Sequence, residues 1–308
     1  IIGVQAQSNK EQSEPEEIKN PETERLRQVA NFALIPPRII ANAYPEYDYD
    51  KYDYLMCPGI TGTPKGRIWT MIGIGCDCSD NDIYAVGATS DDNGKAWSKP
   101  RLAIDGRSPA LLPYYRTVVD YNLWTDPTGR LWLFFMQAMN HWDGRGSLWA
   151  ITCDNPDDND PQWSEPKYIG HGLMLNKPVV LSSGEWLLPA YIVQNEHFRG
   201  FKPFINLFPE LDPYRGVNVY ASADQGKNWT LRGIRTFPQP DWLEPMIVEK
   251  KNGQLWMMAR TLNGIMESFS NDKGYTWSAP ISTKPKISST NARFFFRRLS
   301  SGNLLLVK

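Results

Sequence analysis

From about residue 31 to the end of the chain, apolar residues come in runs of five to eight, separated by Gly, Pro, Asn and Asp. Runs of that length with that punctuation predict strands, and no stretch holds a helical period beyond two turns. The segment before them reads differently. Residues 7 to about 28 (QSNKEQSEPEEIKNPETERLRQ) are polar, rich in Glu, and carry Pro15 and Pro21. They have almost nothing to bury, so residues 1–30 are expected to be an arm without fixed structure. Ala6, a small residue ahead of this polar stretch, fits the end of a cleaved signal peptide.

Two turn patterns alternate along the strand-rich part. One is Lys65-Gly66-Arg67-Ile68-Trp69, repeated as Thr128-Gly129-Arg130-Leu131-Trp132 and Asn252-Gly253-Gln254-Leu255-Trp256, with looser copies around Gly184 and Gly302. Each reads as a tight glycine turn between two apolar strands. The other is S-x-D-x-G-x-x-W, at Ser90–Trp97, Ser222–Trp229 and Ser270–Trp277. A degenerate copy ends at Trp163 and offers Asp157 and Asp158 upstream. Here the Asp carboxylate is expected to cap backbone N–H groups, Gly to take the left-handed position, and Trp to pack under the turn between sheets.

Strand, glycine turn, strand, loop, strand, Asp turn, strand makes a unit of about 50–65 residues, which matches one blade of a β-propeller. Residues 31–308 hold four such units and the first hairpin of a fifth. The run breaks off within a strand, at Leu304-Leu305-Leu306-Val307-Lys308, so a ring lacking its C-terminal part is expected. An early strand, somewhere in 32–43, is expected to complete the last blade.

Composition narrows the function. Lys plus Arg (33) nearly cancels Asp plus Glu (34), which excludes the basic excess of nucleic-acid or membrane-surface proteins. No apolar run is long enough to span a bilayer. Twelve Trp and fourteen Tyr suit an aromatic-lined carbohydrate site. The four Cys and three His are too few for a disulfide scaffold or a structural zinc centre, and no cofactor or metal is expected.

The Asp turns are the Asp-box, or BNR repeat, and over roughly residues 50–308 the chain resembles the sialidase (neuraminidase) superfamily, nearest to its bacterial members. Asn176-Lys177-Pro178 before a Gly-Glu-Trp-Leu-Leu-Pro turn, and Asn291-Ala292-Arg293-Phe294-Phe295, carry the likeness as well. The resemblance implies an all-β, six-bladed propeller. It implies an exo-glycosidase that releases terminal sialic acid or a related acidic sugar with retention, through a Tyr nucleophile, an assisting Glu, an acid/base Asp and three carboxylate-binding Arg. Glu244 matches the Glu, Arg260 and Arg293 match the second and third Arg, and Asp80, with Asp77 as the other choice, fits the acid/base loop. The first Arg is absent: its segment reads Met56-Cys57-Pro58. The Tyr belongs beyond residue 308.

Strand order places Asp120, Asn176, Lys177 and His141 on the same face as Glu244 and Arg293. The long aromatic loop at about 194–214 reads as a rim there, and Trp142 and Phe198 as aromatics that could stack on sugar rings. A related propeller acting on another glycan, as another hydrolase or a lyase, or one that only binds glycan, is the alternative. On that reading Glu244 and Arg260 are an ion pair bridging two strands. The expected partner is an acidic glycan, the expected state a monomer, and the expected location outside the cytoplasm.

Overall fold

In a computed structural model of the chain, residues 20–51, 54–75, 83–107, 115–140, 142–194, 204 and 206–308 are described. Nearly all of the regular structure is antiparallel strand. β1 (Arg38–Ala41), β2 (Tyr54–Gly62), β3 (Ile68–Gly75), β4 (Tyr84–Ser90) and β5 (Leu102–Asp105) form the first sheet. β6 (Arg116–Thr125), β7 (Leu131–Met139), β8 (Ser147–Cys153) and β9 (Lys167–His171) form the second. The third is β10 (Val179–Val180), β11 (Trp186–Ile192), β12 (Gly216–Ser222) and β13 (Thr230–Arg235). The fourth is β14 (Pro240–Glu249), β15 (Leu255–Thr261), β16 (Gly264–Ser270) and β17 (Ile281–Ser282), and β18 (Phe295–Arg298) pairs with β19 (Leu304–Val307) as a fifth hairpin. These are propeller blades, each a meander from an inner to an outer strand.

The cores lie between blades. Trp69, Met71 and Leu102 of the first meet Val118, Leu133 and Phe135 of the second. Trp124, Trp132 and Phe134 meet Trp186, Leu188 and Tyr220. Leu187, Val217 and Val219 meet Leu255, Met257 and Trp277, and Met246, Val248 and Met258 meet Phe294 and Phe296. Each such side chain contributes about 1.5–3 kcal/mol by leaving water. At the axis the inner strands of the first two blades touch backbone to backbone. A Cβ on Gly59 would stand 2.5 Å from the Tyr121 carbonyl oxygen.

Register puts both kinds of turn at one end. Ile68 opens β3 after the glycine turn and pairs with Ser90, where the Asp turn begins. In the Asp turns the serine is as much a part of the device as the aspartate. Ser222 Oγ accepts the Gly226 N–H at 2.8 Å and donates to Asp224 at 2.8 Å, and Asp224 accepts the Asn228 N–H at 2.8 Å. The Ser90–Asp92 and Ser270–Asp272 turns repeat this pattern. Trp163, Trp229 and Trp277 each pack on the preceding blade. Trp97, on the first blade, departs from the expectation and is exposed.

The degenerate turn is built by other residues than expected. Cys153 pairs with Leu131 as Ser90 pairs with Ile68, and Asn155, two residues on, accepts the Gln162 N–H at 2.8 Å. Asp157 instead accepts from the Thr63 hydroxyl and the Lys65 N–H of the first blade, and Arg67 donates to the Asp158 carbonyl at 2.6 Å.

Two expectations for the N-terminal part are corrected. The last third of the supposed arm is a helix, α1 (Pro21–Ala30), capped by Asn20, whose Leu26, Val29 and Ala30 bury against Met139, Phe204, Leu207 and Phe208. Three apolar residues at helical spacing suffice because the second blade supplies the opposite wall. The early strand, β1, completes the outer edge of the first blade, pairing Arg38–Ala41 with Asp105–Leu102. Between helix and strand, residues 30–35 are held through their carbonyls. Arg145 donates to Ala30 O at 2.7 Å, Arg116 to Phe32 O and Ile35 O at 3.2 Å, Gln137 to Ala33 O and Ile35 O, and Ser147 to Ala33 O at 2.7 Å. Among the described residues no helix is long and apolar enough to cross a membrane.

Backbone N–H donation to Asp224 and the Asn228 side chain hold its carboxyl down at about 2. That turn therefore adds stability above the ordinary aspartate pKa of about 4, lost as pH falls toward 2. Asp224→Ala is expected to lower the melting midpoint at pH 7 by a few degrees. Melting curves of the two proteins should converge in acid.

Candidate functional site

Three inner strands carry the same irregularity. In β2 the pairing steps from Met56–Gly73 to Gly59–Met71, in β6 from Val119–Met136 to Asn122–Phe134, and in β14 from Leu243–Arg260 to Met246–Met258. Each time three residues advance against two, which is a β-bulge. The residues at the step are Cys57, Asp120 and Glu244. Two of the bulges have a chemical cause in view. Pro58 and Pro245 have no N–H to give the ladder. Asp120 (φ 59°) and Glu244 (φ 41°) take left-handed backbone there, which costs about 1–3 kcal/mol for a residue that is not glycine. All three bulges lie near mid-strand, and past each the strand runs on to its glycine turn.

The bulge delivers a buried carboxyl. Glu244 is 6% exposed, one oxygen lies 3.3 Å from Arg260, and the other has no hydrogen-bond partner among the described residues. Burial raises its pKa against the pull of Arg260 and Arg293. Asn176 fixes the backbone there, donating to Glu244 O at 2.9 Å and Pro245 O at 3.3 Å. Asp120, on the equivalent bulge two blades away, is pushed up to about 7 by burial, opposed by Arg293 and reinforced by Glu244. Glu244, Arg260, Arg293, Asp120 and Asn176 thus come together as the strand order implied.

The two guanidiniums are not alike. Arg260 is bound on every side, to Asp241 at 2.6 Å, Glu244 at 3.3 Å and Asn291 at 2.7 Å. Arg293 is exposed and donates only to Leu175 O, at 2.6 Å, among the described residues. It is the group free to meet an incoming anion.

Asp241 and Asn291 escaped the sequence reading. Strict alternation would put residues 241 and 244 on opposite faces. A second register shift, between Pro240 and Leu243, turns both toward Arg260. A proline inside a strand-like run was the available signal.

Lys177 turns from this group, donating to Ile60 O at 2.7 Å along the axis. Asp77, Asp80, His141 and Phe198 lie outside the described residues. Trp142, expected to meet sugar, is buried in the core at 3% exposure. The described part of the 194–214 loop packs inward: Phe204, Leu207 and Phe208 bury against α1, and Arg27 donates to Leu207 O at 2.8 Å. Among the described residues no three His, Cys, Asp or Glu side chains are arranged to hold a metal ion.

Interleaved blades, Asp turns and an inner-strand cluster of acid and guanidinium groups define a sialidase-like Asp-box propeller. The chain belongs to the BNR repeat-like domain family, which matches residues 79–308. Among solved structures it is similar to the NanB sialidase of Streptococcus pneumoniae, with 14% identity over 80% of this chain and 53% of that one, at a TM-score of 0.54. It is also similar to the intramolecular trans-sialidase of Ruminococcus gnavus, with 14% identity over 80% of this chain and 74% of that one, at 0.56. A protein of unknown function from Dyadobacter fermentans gives 15% identity over 82% and 74%, at 0.58. The chain spans about half the length of the NanB structure. No curated protein matches it in sequence.

Asp120 yields a pH test. Its folded carboxyl keeps a proton that the unfolded chain releases near pH 4, so its contribution is full below pH 4 and lost as pH rises through about 7. Asp120→Asn, which tolerates the same backbone and stays neutral, is expected to flatten the fall in stability between pH 5 and 8. Denaturant midpoints across that range measure it, and an unchanged slope would count against a buried acid.

Proposed function

We propose that this chain carries part of the active site of a retaining exo-glycosidase of the sialidase type, acting on a terminal acidic sugar. The observation that carries the reading is Glu244. It is a buried carboxylate steadied on one oxygen by Arg260, with its other oxygen unpartnered among the described residues, near the exposed guanidinium of Arg293. A planar guanidinium suits a sugar carboxylate because its fork can bind both oxygens. A buried carboxylate with a free oxygen suits taking the proton of a hydroxyl nucleophile. In the resembled scheme that nucleophile is a tyrosine, which an anionic substrate does not repel as it would a second carboxylate. Asp80 or Asp77 would protonate the leaving oxygen, and Asp120 would face the sugar ring. A location outside the cytoplasm fits a glycan substrate and belongs to the same proposal.

One observation favours a second substrate reading. Met56, where the resembled family has an Arg, is buried and brings no charge. Two guanidiniums, one already neutralised by Asp241 and Glu244, fit a uronic acid or another glycan acid as well as sialic acid.

Calorimetric titration of a sialoside, a uronide and the methyl ester of each tests the assignment. Arg293→Lys is expected to weaken the acids at least tenfold and the esters little. Arg260→Lys is expected to weaken acids and esters alike, because its partners are the protein's own. Equal loss for acid and ester in Arg293→Lys would remove the carboxylate clamp from the proposal. In a longer chain that includes the expected tyrosine, Glu244→Gln should keep binding and lose turnover.

A further inference from the structure

Beyond the bulges, toward the turn end, four of the inner strands line an open-sided channel of about 520 Å³. Its wall takes residues from β6, β10, β14 and β18 and their flanks, and it holds three cations, Lys177, Arg297 and Arg298. Arg298 is spent on the carbonyls of Gly302 and Glu249 at 2.5 Å. Lys177 gives one bond, to Ile60 O, and Arg297 gives none among the described residues; neither has a carboxylate partner there.

The channel's two carboxylates cannot serve them. Asp126 caps its own turn, accepting the Thr128 N–H at 2.8 Å and the Trp132 indole at 2.9 Å. Glu249 accepts both the N–H and the hydroxyl of Ser182, at 2.6 and 2.8 Å. Burial holds the Lys177 ammonium down at about 8, and the charge of Arg297 adds to the effect. Two like charges, Lys177 half-buried and Arg297 exposed, therefore line one channel with no counter-ion from the described chain, an arrangement that an anion would relieve.

We infer that the channel is a second anion site, in which Lys177 and Arg297 bind a sulfate, phosphate or carboxylate group, separate from the cluster around Glu244. Arg297 supplies the planar fork and Lys177 the point charge. The volume exceeds that of a bare ion and leaves room for the sugar or phosphoester that bears one. The inference does not depend on the glycosidase reading, since none of its residues belongs to that cluster.

Titration of the whole chain with sodium sulfate and with inorganic phosphate, at ionic strength held by sodium chloride, is the test. Saturable binding is expected in the wild type, weakened at least tenfold by Arg297→Gln and by Lys177→Met and largely kept by Arg297→Lys. Melting midpoints in chloride alone show whether each variant folds. Arg293→Gln removes the competing guanidinium of the other cluster and is expected to leave the binding intact. A sulfated oligosaccharide that binds tighter than free sulfate would identify a glycan-borne group as the ligand, and equal affinity the free ion. No saturable binding in the wild type overturns the inference. So does binding that survives both Arg297→Gln and Lys177→Met, or that disappears with Arg293→Gln.

Discussion

A sheet that is apolar on both faces cannot stand alone, and every blade here is such a sheet. β7 is buried from Leu131 to Met139 without a break, so its residues do not alternate between core and solvent but between two cores. The side chains on one face belong to the blade before, those on the other to the blade after. Stacking of this kind fixes the rest. Inner strands converge on an axis, so close that Gly59 has no room for a Cβ. Outer edges are left to be closed by local means, as β1 closes the first blade.

Ladder and axis then make opposing demands on the inner strands. A regular strand would send each side chain into one of the two flanking cores, and none would be free to face the axis. One extra residue at the same step of three blades resolves the conflict. It leaves the pairing intact on either side and puts an acid at the bulge in two of the three. The charges gathered there are unequally committed. Arg260 is neutralised by two carboxylates and serves Glu244, while Arg293 keeps its charge for whatever enters.

How much of this the sequence shows depends on the range of the interactions. The Asp turns are legible because Ser, Asp, Gly and Trp act within eight residues, and the blade order follows from them. The degenerate turn of the second blade escapes the pattern because Cys153 and Asn155 do the work of Ser and Asp with different atoms. Helix α1 was missed because its apolar side is only Leu26, Val29 and Ala30, and the wall it packs on lies more than a hundred residues away. Glu244, Arg260 and Arg293 were found through resemblance. Asp241 was not, since two register shifts in one strand undo the parity by which a reader assigns faces.

The fastening of residues 30–35 has a further implication. Arg116, Gln137, Arg145 and Ser147 reach only for main-chain oxygens. The hydrogen bonds of such a clasp recognise the path of the segment, and side chains matter to it only where they are buried, as Ala30 and Ala33 are. Replacing the exposed Leu34 would leave the clasp whole, whereas Ala33 is fully buried and shortening the segment by one residue would strand several donors at once in the wall of the second blade. Tolerance to change is thus divided unequally between the two halves of one contact. The strap is free only where it faces outward, as at Leu34, and is fixed in its length, and the blade beneath it is fixed in the four side chains that hold it.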